Sequence, residues 1–343
     1  MRSAWLPERR RARGTRALVA ALAAAVSACG GGEGPAVRVV VPSGATFREA
    51  TDSLARAGVV TSPLLFRAYA KVGGADRTVK AGTYRLPRDA RWREVIDALT
   101  EGRTAAGTVT IPEGFALSQI VPLLARTLAV PVDSVELATR DTALRRRLDV
   151  PTPTLEGYLF PSTYTFADGT EPLAAVRQMV AELERRWRPE WDAQLQALGM
   201  SRHDVLTLAA IVEKEARLPE ERAVISAVYH NRLKRRMPLQ ADPTVQYARG
   251  QHTSRVLYRD LELDSPYNTY RHAGLPPGPI ASPGLPSIEA ALFPAQVPYL
   301  FFVAHPDGHH EFRTTFAEHT KARLAIRKAQ QERRGERGTP GGR

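Results

Sequence analysis

Leu206 to Leu218 reads L-T-L-A-A-I-V-E-K-E-A-R-L, an apolar run with Glu213 and Glu215 set into it. No other stretch constrains the fold as strongly. A carboxylate placed where a helix must bury itself costs free energy unless it has a partner or a chemical task. Ser201 with Asp204 three residues later resembles a capping box, and Pro219 follows the run, so a helix is predicted over the whole segment. At about 100° per residue from Leu208, Glu215 falls near 340°, inside the stripe of Val205, Leu208, Ile211, Val212 and Leu218, while Glu213 falls near 140°, on its margin. A carboxyl in an apolar groove has its pKa raised by desolvation and can act as a general acid near neutral pH. The competing reading is that both Glu side chains pair with Arg217 or Arg222 at an exposed helix end.

The chain has 343 residues, enough for two domains, and a formal net charge of +12. Residues 1–28 hold six Arg and one Glu, and residues 321–343 hold eight Lys or Arg and two Glu, so the ends account for +11 of the +12. The body is near neutral, which argues against a nucleic-acid footprint.

Residues 1–29 read as a signal or anchor segment. Arg9, Arg10, Arg11, Arg13 and Arg16 precede the apolar run Ala17 to Ala28, which is shorter than the about 20 residues a bilayer span takes. The run ends Val26-Ser27-Ala28-Cys29, which resembles a lipobox with Cys29 as the acylated residue. Cys29 is the only cysteine, so no intrachain disulfide is possible. A simple cleaved signal or a short signal anchor is the alternative, and each version exports the chain to the envelope. Residues 30–37 read as a linker.

A unit then recurs over 38–126. Val39 to Phe47 and Val109 to Leu117 are each a short strand and a Pro/Gly turn leading into an amphipathic helix, with a weaker copy at Tyr84–Leu99 and another helix over Val59–Val72. Small β-α-α-β modules of this kind resemble LysM-type glycan-binding units; packing repeats without a ligand are the plainer reading. Residues 127–154 read as a loosely structured, helical connection. From 155 to 320 the texture changes, and 321–343 is a basic tail.

Within 155–320, Leu155 to Phe166 places four aromatics and Glu156 in one loop, and Glu171 to about Leu198 reads as an amphipathic helix or pair. A helix is predicted from Pro219 to about Arg236, and another from Asp242 as N-cap to about Gly250. Ser265 to Ile280 is a Pro-rich loop carrying Tyr, Asn, Thr and His, suited to a substrate wall or to a structural loop. Ser287 is predicted to cap a short helix through Leu292, and Tyr299–Ala304 with Glu311–Thr314 to form a hairpin across His305 to His309. The adjacent histidines lack the spacing of a known metal motif and read as a turn. The fold expected is α+β: N-terminal LysM-like β-α-α-β modules, then a mixed α/β catalytic domain with a buried Glu-bearing helix.

Seven runs occur in order: Leu155 to Pro161, Ile211 to Glu215, Asn231-Arg232-Leu233, Pro238 to Val245, Tyr267 to Tyr270, Gly274 to Ile280 and Tyr299 to Ala304. Together they resemble the endolytic murein transglycosylases, the YceG-like (MltG) family, over roughly 38–330. The resemblance implies an enzyme anchored in the cell (inner) membrane, with an extracytoplasmic or periplasmic catalytic domain. It cuts peptidoglycan between N-acetylmuramic acid and N-acetylglucosamine and leaves 1,6-anhydro-muramic ends. It also implies Glu215 as the catalytic acid. Glu156, Tyr158, Gln240, Asp242, Thr244, Tyr267, Asn268, Thr269 and Tyr270 are then the expected substrate contacts, and Glu213 a structural residue behind Glu215. No metal or organic cofactor is needed. The expected partners are glycan strands, the membrane through the N-terminal anchor, and cell-wall synthesis enzymes. Two rivals stay open: a hydrolytic muramidase with Asp242 or Glu156 as base, and a non-enzymatic peptidoglycan-binding envelope protein.

Overall fold

The computed structural model describes residues 35–42, 44–75, 79–102, 106–250 and 256–337. The signal or anchor segment with Cys29, most of the expected linker, and residues 338–343 of the tail lie outside the described residues. Two units emerge: the chain up to Gly107 together with Ala167–Gly169, and Thr108–Phe166 together with the chain from Thr170 onward.

The first unit runs β1 (Ala36–Val41), α1 (Phe47–Arg56), α2 (Pro63–Val72), β2 (Gly82–Pro87) and α3 (Trp92–Glu101). The strands pair antiparallel, from Ala36 opposite Pro87 to Val41 opposite Gly82. Side chains alternate along a strand, so Val39 and Val41 enter the core while Val40 is 52% exposed. Thr46 and Glu49 close a capping box on α1. Phe66 anchors the core between Phe47, stacked at 5.8 Å, and Trp92, edge-on at 5.7 Å. The β-α-α-β order matches the sequence pattern. The expected module region 38–126 does not coincide with this unit, because the chain from Thr108 to Phe166 packs in the second.

The second unit is helical, with small sheets at its margins. Strand β3 (Ala106–Thr110) pairs with β4 (Thr163–Ala167), and Thr108–Thr110 and Thr163–Phe166 of that pair belong to this unit. Between them lie α4 (Leu117–Leu128), α5 (Val132–Thr139) and α6 (Thr142–Arg147). Then come α7 (Pro172–Arg186), α8 (Glu190–Leu198), α9 (Arg202–Glu215), a 3-10 turn (Pro219–Glu221), α10 (Arg222–Lys234), α11 (Asp242–Ala248) and α12 (Leu285–Leu292). The hairpin β5 (Phe301–Ala304) and β6 (His310–Arg313) precedes α13 (Phe316–Arg337), so the basic tail continues a helix. The fold is mixed α+β.

Helix α9 is the centre of this unit. Every residue from Val205 to Val212 is buried, and α9 packs on α10, α11 and α12. A helix that is apolar all round has no solvent face. The capping box forms as the sequence predicts: Ser201 Oγ accepts from Asp204 N at 3.1 Å, and the Asp204 carboxylate accepts from Ser201 N at 2.9 Å. Removing it with Ser201→Ala is expected to cost about 1 kcal/mol, measured as a lower urea midpoint at an unchanged slope.

Among the helix boundaries that differ from expectation, three bear on the site. Helix α9 stops at Glu215, short of Leu218, with Ala216 already extended at φ −71 and ψ 118. Leu218 precedes Pro219, which disfavours helical geometry at Leu218, and the chain leaves the helix before reaching it. In α11 the cap is Ala241, and Asp242 is the first helical residue. Ala241 is extended at φ −92 and ψ 111, and its N–H donates to Thr269 Oγ1 at 3.0 Å. In α12 the cap is Gly284, and Ser287 lies inside the helix with Oγ accepting from Arg222 Nε at 3.2 Å.

Candidate active site

Ending α9 at Glu215 sets the geometry of the site. The last residue of a central helix carries its carboxyl out of the core while staying surrounded by protein. The partial negative charge of a helix C-terminus disfavours a carboxylate there. Tyr229, buried on α10, donates its hydroxyl to Glu215 Oε1 at 3.1 Å. Burial and then the nearby Asp242 charge push the Glu215 pKa up to about 7, against the Tyr229 hydrogen bond and the charges of Arg232 and Arg217. At neutral pH such a group is divided between its acid and its base form, the condition for donating a proton and then accepting one.

Asp242 is exposed at the start of α11, and Tyr270 donates its hydroxyl to Asp242 Oδ1 at 2.6 Å. Burial, then that hydrogen bond and the charges of Asp242 and Glu215, raise the Tyr270 hydroxyl well above its ordinary value. It stays a donor across the physiological range. Gln240 is exposed on the adjoining turn with φ +49, while its N–H bonds Thr269 O at 3.1 Å. A non-glycine residue in the left-handed region is strained and persists where its surroundings hold it. The structure therefore brings Glu215, Tyr229, Asp242 and Tyr270 into one electrostatic neighbourhood, beside an exposed Gln240.

Several expected substrate contacts are corrected. Tyr158 is buried, with its hydroxyl against His203 Nδ1 at 2.8 Å and the two rings stacked. Thr244 and Thr269 are buried and joined hydroxyl to hydroxyl at 2.9 Å, bracing α11 against the 265–280 loop. Asn268 is buried and donates to Leu261 O and Leu263 O at 2.9 and 2.8 Å. These four shape the wall from behind and offer no surface to a ligand. Buried polar side chains need partners, and each finds them within the protein: side chains for Tyr158, Thr244 and Thr269, backbone carbonyls for Asn268.

Glu156 is buried too. Its carboxylate accepts from Leu117 N at 3.0 Å and from Tyr247 Oη at 3.3 Å, which satisfies the first turn of α4. Burial raises its pKa to about 7, against those hydrogen bonds. It sits by a cleft of about 440 Å³ whose lining includes Ser118, Glu136, Arg140, Gln246 and Tyr247. Tyr267 is half-buried and tilts against Tyr247, ring centres 4.9 Å apart.

Glu213 is drawn inward more than its wheel angle suggests, at 8% side-chain exposure. Its Oε2 accepts from Gly284 N at 3.0 Å, at the cap of α12, and Arg222 lies 3.9 Å from its Oε1. The wheel assumed one apolar stripe; with α9 buried on all sides, angle alone cannot rank the two residues. Their partners do.

Sequence reasoning missed Tyr229 and the work of Asn231 and Arg232. Arg232 is buried; it donates to Leu300 O through Nε and to Leu239 O through Nη1, both at 2.7 Å. Asn231 Nδ2 donates to Val297 O and Tyr299 O at 2.8 and 2.9 Å. This pair ties the start of the hairpin, and through Arg232 the Gln240 turn, to α10. The available signal was spacing: Tyr229 and Arg232 are three apart on one helix, and so share a face.

A carboxyl at the end of a central helix, bonded to Tyr229 and with its pKa pushed up by burial, suits acid–base chemistry in a helix-rich α+β body. The YceG-like family profile matches residues 39–324, and the chain belongs to that family. It is 37% identical over 302 residues to the endolytic murein transglycosylase of Bacillus subtilis (strain 168), covering 84% of each chain. It is 30% identical over 327 residues to the endolytic murein transglycosylase of Streptococcus pneumoniae serotype 2 (strain D39 / NCTC 7466), covering 84% of this chain and 59% of that one. The crystal structure of a yceG-like protein from Listeria monocytogenes superposes with a TM-score of 0.59 at 33% identity, covering 84% of this chain and all of that one.

Proposed function

We propose that this chain is an endolytic murein transglycosylase in which Glu215 carries both proton transfers. Family membership and the named relatives support the reaction class. The observation that carries the residue assignment is the place of Glu215: a carboxyl at the end of a buried helix, bonded to Tyr229, where burial pushes its pKa up to about 7.

Protonated Glu215 gives its proton to the glycosidic oxygen as the bond from the muramic acid anomeric carbon breaks. The resulting carboxylate takes the proton of that sugar's own 6-hydroxyl, whose oxygen bonds the anomeric carbon. One C–O bond breaks, one forms, and Glu215 regains its proton without water. Asp242, held by the Tyr270 hydroxyl, favours positive charge developing on the sugar ring. A hydrolytic muramidase needs a second carboxyl to activate water. Glu156 is committed to α4 and Tyr247, which leaves Asp242 as that rival's base.

Mass spectrometry of digested sacculi is the test. Anhydro-muramoyl ends are expected; reducing ends in their place would establish the hydrolase and overturn this reading.

The pH dependence carries a sign for each neighbour. The acid form begins the reaction, so activity falls as pH rises through about 7. Tyr229→Phe removes a hydrogen bond that favours the ionised form, so the falling limb moves to higher pH. Asp242→Asn removes a charge that disfavours that form, so the limb moves to lower pH. Rate profiles of the two variants check this; shifts in the same direction would contradict it.

The first unit is proposed to be a LysM-like module that binds glycan. The N-terminal segment is proposed to anchor the chain with the enzyme outside the cytoplasm. Among the described residues no helix is long and apolar enough to cross a membrane. Labelling with a palmitate analogue, present in wild type and absent from Cys29→Ala, separates a lipid anchor from a signal anchor.

A further inference from the structure

The hairpin joining β5 to β6 carries a cluster that the reaction does not use. Residues 305–309 are His-Pro-Asp-Gly-His, and Glu311 follows on β6. Side chains alternate along a strand, so His309 and Glu311 share a face. His305 stands across from His309, because its N–H donates to His309 O at 2.8 Å. The turn between them is closed by Gly308 N–H to His305 O at 3.0 Å, with Gly308 at φ +99, where other residues are strained. The backbone therefore presents His305 and His309 side by side, rings stacked at 4.0 Å. Asp307, at the tip, lies with Oδ1 2.5 Å from His309 Nδ1, and Glu311 Oε2 lies 3.1 Å from His305 Nε2. One ligand atom from each of His305, Asp307 and His309 falls within 4.8 Å of the other two.

We propose that His305, Asp307 and His309 form a binding site for a divalent transition-metal ion of the zinc type, with Glu311 or water completing it. Two imidazoles and a carboxylate are a borderline donor set that suits zinc over calcium or magnesium, which take oxygen ligands. Tetrahedral ligation at about 2.0–2.2 Å brings donor atoms to roughly 3.5 Å from one another. One ligand atom of each already lies within 4.8 Å of the others, so rotation of these part-exposed side chains completes the approach. Each imidazole now faces a carboxylate, His305 that of Glu311 and His309 that of Asp307, so donor atoms of opposite type already converge on the turn. His310 is not part of the site, since its ring is buried against Glu221 at 2.6 Å.

The ion would clip the hairpin tip. A Cβ placed on Gly308 would lie 3.7 Å from Arg217 Cβ and Cδ, so the turn packs on the stem of a residue two positions past Glu215. The site stands apart from the glycan reaction and does not rest on that reading.

The test is titration of zinc into the full-length, tag-free protein in detergent, followed by calorimetry, with cobalt as a visible-absorption probe. One equivalent is expected to bind in the micromolar range or tighter, to give cobalt a tetrahedral spectrum, and to resist competition by magnesium. Affinity should fall by about 10–100-fold in both His305→Ala and His309→Ala, since losing a ligand matters at least as much as losing its supporting partner. Imidazole NMR resonances of wild type, shifting at His305 and His309 on zinc addition, keep the test valid should a variant misfold. No saturable binding, unchanged affinity in both variants, or shifts confined to other histidines would overturn the proposal.

Discussion

Glu215→Gln is expected to lower release of anhydro-muramoyl products by roughly a thousandfold or more, because it removes one group that serves as both acid and base, each role worth about 10²–10⁴. The amide keeps the shape of the side chain and a hydrogen-bond acceptor for Tyr229, so glycan binding should be retained. Stability should move the other way. The folded-state pKa of Glu215 lies at about 7, above the ordinary 4.5. Its contribution to stability is therefore full below about pH 4.5 and is lost as pH rises through 7. The glutamine variant has no such loss. It should equal or exceed wild type in stability at pH 8, by on the order of 2 kcal/mol, with a smaller difference at pH 5. Glu213→Gln should show the reverse: far more activity retained, and stability lost through the Gly284 contact and Arg222. Ranking the two variants by product mass and by denaturant midpoint decides the assignment, and a more damaging Glu213→Gln would sink it.

Gly157→Ala is expected to be the most destabilising single-methyl change near the site. Gly157 has φ +79, where a side chain costs about 1–2 kcal/mol. A Cβ there would collide with the Pro279 ring, 2.6 Å from Cγ, and would sit 3.2 Å from Ala281 O. Overpacking a tight contact adds about 1–3 kcal/mol. Neither neighbour gives easily, one being a proline ring and the other backbone. The strain must displace either the 274–281 loop or the Glu156 turn that holds the start of α4. A loss of about 2–5 kcal/mol in urea denaturation is expected, with the pH limb of residual activity still near that of wild type. Wild-type stability would mean that the loop and the turn are not packed as described.

Much of the scaffold could be read from periodicity and punctuation. Ser201 with Asp204 announced the start of the central helix, Pro219 its approximate end, and alternation in Val39-Val40-Val41 the inward face of β1. These are local effects, decided within a turn or two of chain. The roles of the polar residues in the seven motifs were less legible. Tyr158, Thr244, Asn268 and Thr269 resembled contacts to a ligand because polar residues in an aromatic or Pro-rich loop suit either a site or a loop's own hydrogen bonding. Which of the two applies depends on what lies across the fold, and all four face inward.

The sequence by itself determined that an apolar helix carries two carboxyls, that the motifs around it are those of the YceG-like family, and that the body of the chain is near neutral. Tertiary structure alone decided what surrounds each carboxyl. Glu213 lies among the Gly284 N–H and Arg222, and its charge is satisfied. Glu215 lies beside Tyr229 and Asp242, 14 and 27 residues further along the chain, where burial and a like charge hold its proton. Desolvation and charge–charge energies depend on distances between segments far apart in sequence, which helical periodicity does not encode.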